Sequence, residues 1–265
     1  MSSKMLQPHG IDVSLERVHA LPLVDCVFAL TMTNSTTMDG LASELLSPYG
    51  LMDRTTILEQ PVDPDGKVAG IARAHLGAWN ASLKRSCNHT LVFEDDAFFD
   101  AAVAGRSLPR TEAFLLSGMP YDVLLLGWAG TPGRTQAGPS PLDCVNNISF
   151  WIDAHAYIIS PEAARLWHTA DWYALRKHDA DTTSSTAQQL ATTTHHENDG
   201  AIDLFMARQD RGRFYAVRPM VAFQRFHHNS SSLWNRVAEL FWSTPDAVHE
   251  LFEQQVYANL SAPSC

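Results

Sequence analysis

Three consecutive acids, Glu94-Asp95-Asp96, directly follow the apolar run Leu91-Val92-Phe93. Carboxylates at the end of a buried strand are costly unless positive charge neutralises them. In open α/β sheets, strand C-terminal ends are where ligands bind. A hard divalent ion, Mg2+ or Mn2+, is the natural counter-charge, because it prefers carboxylate oxygens and bridges them to substrate phosphates. The same acids also read as a solvated turn. His227, just after the last expected strand, stands where it would complete an oxygen-rich metal site. His75 lies on an apolar helical stripe with Ile71, Ala72 and Trp79, where a histidine packs or supports a neighbouring group. Asp199 and Asp203 share one helix face at a spacing of four. An acid there is either a plain surface group or a general base toward an acceptor hydroxyl. GxSxG, Walker, GxGxxG and HExxH patterns are absent from the sequence. That weighs against common hydrolases, nucleotide kinases, dinucleotide enzymes and zinc proteases.

The elements that must position these residues alternate. Leu23–Thr31 reads as a buried strand running into the polar Thr33-Asn34-Ser35-Thr36-Thr37. Met38–Leu46 and the stretch from Val68 to Leu83 have helical spacing. Strands are expected at Thr90–Phe93 and Tyr121–Trp128, with a helix around Arg110–Ser117 between them. Ala154–Ile159 is a strand, and Ser160-Pro161-Glu162 opens a helix with a capping serine, a proline at the first position and an early acid. Asp199–Arg208 reads as helix, Phe214–Phe223 as strand and Leu233–Tyr257 as helix. Residues 177–198 are polar and aperiodic and read as a loop. The expected organisation is an N-terminal arm (1–22), an α/β domain (23–232) and a C-terminal helical segment (233–265) packed on it. Alternation of this kind argues an α/β sandwich around a largely parallel sheet.

The 265 residues are 45% hydrophobic and 18% charged, ample for one or two globular domains. A net charge of -10 and the lack of a basic patch disfavour nucleic acid and anionic membrane surfaces as partners. No apolar run is long enough to span a bilayer, and the N-terminus lacks a signal-peptide layout. Four cysteines without CxxC spacing weigh against a structural zinc site and leave disulfides open. Six of nine asparagines lie in Asn-x-Ser/Thr sequons: Asn34, Asn80, Asn88, Asn147, Asn229 and Asn259. The sequons favour a secretory lumen, with a membrane anchor trimmed away; the missing signal peptide favours the cytoplasm.

In order and spacing, the motifs resemble glycosyltransferase family 25, which includes lipooligosaccharide and collagen galactosyltransferases. The resemblance is carried by Gly70-Ile71-Ala72-Arg73-Ala74-His75-Leu76 with Trp79, then Val92-Phe93-Glu94-Asp95-Asp96, then Leu124-Leu125-Leu126-Gly127. It continues through Ala156-Tyr157-Ile158-Ile159-Ser160 with Ala163-Ala164, Gly200-Ala201-Ile202-Asp203, Val217-Arg218-Pro219, Gln224 and Ser231. Ala74 and Ala201 depart from the family pattern, and Thr31–Thr37 replaces its N-terminal signature. The resemblance implies a glycosyltransferase-A fold, a Rossmann-like α/β/α sandwich. It implies a nucleotide-diphosphate sugar donor, with a UDP-sugar favoured, and a divalent metal, Mn2+ or Mg2+, held by Asp96 and Glu94 with His227. Thr31, Thr33 and Asn34 would contact the nucleotide, and Gly70, His75, Glu94 and Asp95 would line the donor site. Asp203, with Asp199 second, would be the base that activates a hydroxyl of a glycan or glycoprotein. The transferred group would be a hexose, galactose or glucose, moved with inversion. Two other classes remain open: a non-catalytic carbohydrate-binding descendant of the fold, and a metal-dependent phosphodiesterase.

Overall fold

The computed structural model describes residues 21–32, 38–61, 63–64, 67–129, 142, 144–147, 152–169, 202, 205–206, 209, 213–218 and 220–224. The apolar runs become the inner strands β1 (Cys26–Met32), β3 (Thr90–Glu94), β5 (Val123–Ala129) and β7 (Ile152–Ile159). Around them lie β2 (Thr55–Gln60), β6 (Val145–Asn147) and β8 (Phe214–Val217), giving a seven-stranded sheet in the order β2-β1-β3-β7-β5-β8-β6. β1 pairs in parallel with β2 and β3, and β5 in parallel with β8; β7 and β6 run against their neighbours. Five of the seven strands therefore share one direction, and the expected mostly parallel α/β architecture is present.

Strand periodicity divides the core. Val27, Ala29, Leu91, Phe93 and Ile158 face one layer, while Phe28, Leu30, Val92, Tyr157 and Ile159 face the other. The first layer is covered by α1 (Met38–Leu41), which runs into a π-turn at Ala42–Leu46, and by α3 (Ala101–Leu116). The second is covered by α2 (Lys67–Lys84) and α4 (Pro161–Trp167). α2 meets the sheet through small residues, Ala69, Ala72 and Ala78, with His75 and Trp79 fully buried between them. The Ser160 hydroxyl caps α4 by accepting from the Ala163 N–H at 3.1 Å, as the sequence predicts.

Several features differ from the sequence expectation. β2 is an added strand at the sheet edge, and β6 was not expected either. The single strand expected over Phe214–Phe223 is two: β8 in the main sheet, and β9 (Ala222–Gln224) paired antiparallel with β4 (Ala97–Phe99) in a separate ribbon. Pro219, between them in sequence, cannot donate to a ladder. α3 starts at Ala101 rather than Arg110 and carries Pro109 within it. Gly105 stands four residues before that proline, where its ring crowds the helix. Cys26 and Cys87 form a disulfide, Cys144 is also bridged, and among the described residues no cysteine is free. No helix of the described residues is long and apolar enough to cross a membrane. All of the expected arm (1–22) but residues 21 and 22, the 177–198 loop and the 233–265 segment lie outside the described residues.

Candidate functional site

The register of two neighbouring strands builds the core of the site. β1 and β3 run in parallel with Leu30 opposite Glu94, so their C-terminal ends coincide. One residue further along each chain, the Thr31 hydroxyl donates to Asp95 Oδ2 at 2.6 Å. Asp95 and Asp96 form the turn between β3 and β4. Asp96 Oδ1 is shielded from solvent. The acids expected at a strand end are therefore there, on the edge where an open α/β sheet presents its ligands.

A buried polar chain runs up beneath Glu94. Trp79 Nε1 donates to the Tyr157 hydroxyl at 2.9 Å, and that hydroxyl lies 2.7 Å from His75 Nδ1. His75 Nε2 faces Glu94 Oε1 at 3.5 Å. Trp79, His75 and Tyr157 are all inaccessible to solvent, whereas the Glu94 side chain is 25% exposed. Burial, reinforced by the Glu94 charge, pushes the Tyr157 phenol well above its ordinary pKa, although the Trp79 bond opposes this. The phenol therefore keeps its proton. Indole is a donor only, so Nδ1 is the acceptor for that proton, and the imidazole N–H then sits on Nε2, aimed at the carboxylate. This tautomer is assigned from the hydrogen-bond pattern. His75 Nε2 thus faces Glu94 from the interior of the domain, close to the carboxylate but not hydrogen-bonded to it.

The ribbon that follows the acidic turn is anchored separately. β4 pairs with β9, and the Ala222 carbonyl of β9 accepts from His155 Nε2 at 3.1 Å. A side chain at Gly127 would collide with both His155 Nε2 and the Ala222 carbonyl. Glycine at 127 lets the ribbon lie directly on β5 and β7, fixing the strand that leaves Asp96. Gly70 stands on α2 against Asp63, which pairs with Arg73. Its place in the fold is explained by that close approach.

Thr31, Glu94, Asp95 and His75 are thus brought together, with Asp96 on the same turn. Thr33, Asn34, Asp199, Asp203 and His227 lie outside the described residues. Ile202, Phe205 and Met206 are helical and buried against the α2–α4 layer, consistent with the helix expected there. Tyr157 was missed as a site residue because it reads as an ordinary strand aromatic. Its signal is chemical, since a buried tyrosine in a strand needs a hydrogen-bond partner. The carboxylates suit a hard ion held by one or two protein oxygens plus phosphate oxygens. Among the described residues no three His, Cys, Asp or Glu side chains converge on one point.

No family model matches the chain, and no curated protein matches it. Solved structures overlap it loosely. The mannose-1-phosphate geranyltransferase from Thermus thermophilus is 15% identical, with a TM-score of 0.44 over 74% of this chain and 75% of that one. A UDP-glucose pyrophosphorylase complexed with UDP-glucose is 11% identical, with a TM-score of 0.41 over 85% and 90%. A glycosyltransferase involved in glycosylation of the major capsid of PBCV-1 is 9% identical, with a TM-score of 0.38 over 72% and 81%. These are loose likenesses of shape.

Proposed function

We propose that this protein is a metal-dependent glycosyltransferase, related to family 25, that moves a hexose from a nucleotide-diphosphate sugar to a hydroxyl of a glycan or glycoprotein. The observation that carries the reading is the Thr31–Asp95 bond. It ties a hydroxyl and an acidic turn together at the carboxyl ends of two adjacent parallel strands, with the Glu94 carboxylate 3.5 Å from a buried histidine.

Asp96 is the first choice to hold a divalent ion, with Glu94 and His227 as further ligands. When bound, that ion would offset the charge developing on the departing diphosphate. The chain's own residues would do the rest. Thr31, with Thr33 and Asn34 beyond it, would meet the nucleotide, and a UDP-sugar carrying galactose or glucose is the favoured donor. Gly70 and His75 would support the donor pocket from α2. Asp203, or Asp199 in second place, would take the proton of the acceptor hydroxyl as its oxygen attacks the anomeric carbon, giving inversion. Residues 177–198 precede that helix in sequence and would act as a lid that keeps water from the sugar.

A thermal-shift panel of nucleotide sugars with and without Mn2+ tests the reading. Stabilisation by a UDP-sugar only in the presence of metal is expected, because a ligand that binds the native state raises its apparent stability. Stabilisation by neither UDP-sugars nor other nucleotide sugars, with metal present, rejects it.

A further inference from the structure

We propose that Asn88 carries an N-linked glycan and that the chain folds in an oxidising lumen, where the Cys26–Cys87 disulfide holds the turn that presents the site. Three observations meet at this corner of the fold. The disulfide joins the start of β1 to the residue before Asn88, across a sequence separation of 61. Bridges of this kind persist in oxidising compartments and are rare where thiols are kept reduced. Cys144 is bridged as well, and among the described residues no cysteine is free.

The second observation is the turn itself. Asp25, beside Cys26, accepts from the backbone N–H groups of Asn88 and His89 at 2.9 to 3.1 Å. The Asn88 amide nitrogen donates to the same carboxylate at 3.2 Å, and the Asn88 residue is exposed. A primary amide carries two hydrogens. One bonds Asp25 and the other is available for substitution, so a glycan can be added without losing the bond that shapes the turn.

The third observation is the contrast with Asn80. Both asparagines stand in sequons, Asn80-Ala81-Ser82 and Asn88-His89-Thr90. Asn80 lies within α2 and is only partly exposed, and the Ser82 and Thr90 hydroxyls are buried against each other at 2.5 Å. A sugar on Asn80 would crowd the half-covered flank of α2, whereas one on Asn88 stands in open solvent. Attachment forms a bond from the Asn88 amide nitrogen to the anomeric carbon of a lipid-diphosphate oligosaccharide. The bond to the lipid diphosphate breaks, and the amide proton passes to a base of the transferring enzyme.

The test is peptide mass spectrometry on the full-length protein purified from its source cells, alkylated without reduction. Peptide-N-glycosidase in 18O-water marks each formerly glycosylated asparagine as aspartate. The expected result is a marked residue 88, an unmarked residue 80 and a Cys26–Cys87 linked peptide free of alkyl label. An unmodified Asn88, or alkylated Cys26 and Cys87, overturns the proposal. A marked residue 80 overturns the structural argument for site choice. These readings use no nucleotide sugar, so they stand apart from the transferase assay.

Discussion

The hydroxyl of Thr31 and the carboxylate of Asp95 meet at 2.6 Å across the ends of two parallel strands. Neither residue is near the other in sequence. What brings them together is the pairing of Leu30 with Glu94, which puts the next residue of each strand side by side. The hydrogen bond fixes one carboxylate of the acidic turn relative to the strand whose loop would receive the nucleotide.

Thr31→Val keeps the shape of this buried residue and removes the donor. A hydrogen bond to a charged acceptor contributes about 1.5–3 kcal/mol. If the nucleotide site depends on the geometry of the turn, UDP affinity in the presence of Mn2+ should fall by roughly tenfold while the fold persists. Calorimetric titration with UDP checks this. An unchanged affinity would detach Thr31 from the donor site.

Asp96→Ala should abolish the metal dependence of nucleotide binding and leave a folded protein. Removing an acid from a crowded carboxylate turn relieves like-charge repulsion, so the melting temperature of the metal-free protein should hold or rise. UDP titrations at increasing Mn2+ read the outcome. A variant that keeps the wild-type manganese response removes Asp96 from the metal site.

Alkaline pH should expose the buried tyrosine chain. Tyr157 has its pKa raised chiefly by burial, as do Tyr121 and Tyr49. A group whose folded pKa lies above its unfolded value contributes stability that is complete below the unfolded pKa, near 10, and is lost as pH rises toward the folded value. Urea unfolding should therefore show stability falling above about pH 10, by up to ~1.4 kcal/mol per pH unit for each tyrosine. Tyr157→Phe should flatten that fall while costing about 1–3 kcal/mol at neutral pH, since Trp79 Nε1 and His75 Nδ1 lose their partner. Identical alkaline slopes in the two proteins would contradict the buried, protonated phenol.

The sequence made the inner strands legible because they are buried on both faces and read as unbroken apolar runs: VFALT, TLVFE and DVLLLGW. The Ser160 cap was legible because its chemistry is local. β2 was not, since it is an edge strand whose residues are only partly covered, with Ile57 at 48% exposure. β4 and β6 are three residues each, too short for periodicity to register. The acids of the site could be placed at a strand end from the order of residues alone. Their partners could not, because Thr31 meets Asp95 through strand register and Tyr157 stands behind His75, which faces Glu94. Likewise, Gly127 looked like a motif residue, and only the crossing of the β4–β9 ribbon explains why a side chain is excluded there.

Gly127→Ala should couple packing to the site. The added methyl meets His155 Nε2 and the Ala222 carbonyl, so the ribbon has to lift. Overpacking of this kind typically costs about 1–3 kcal/mol. Because β4 leaves directly from Asp96, nucleotide binding should weaken along with stability. Thermal melts and UDP titration on the same sample check both. A destabilised variant with normal UDP affinity would mean the ribbon does not position the turn.

Asp203 is where the proposed chemistry is most exposed to test. The sequence sets it four residues after Asp199, and the resemblance puts it at the family's late aspartate. Ile202, Phe205 and Met206, close to it in sequence, are buried. Asp203→Asn keeps the size of the side chain and removes the proton acceptor. Loss of a general base lowers turnover by about 10²-fold or more, with donor binding and its metal dependence retained. Asp199→Asn should cost less. Transfer rates and UDP affinities, measured together on both variants, separate the cases. A dead Asp199→Asn beside an active Asp203→Asn swaps the two roles. Two active variants send the base elsewhere, with Asp153 next. The structure includes Asp153 in β7 near its start, where the strand runs beside the ends of β3 and β5.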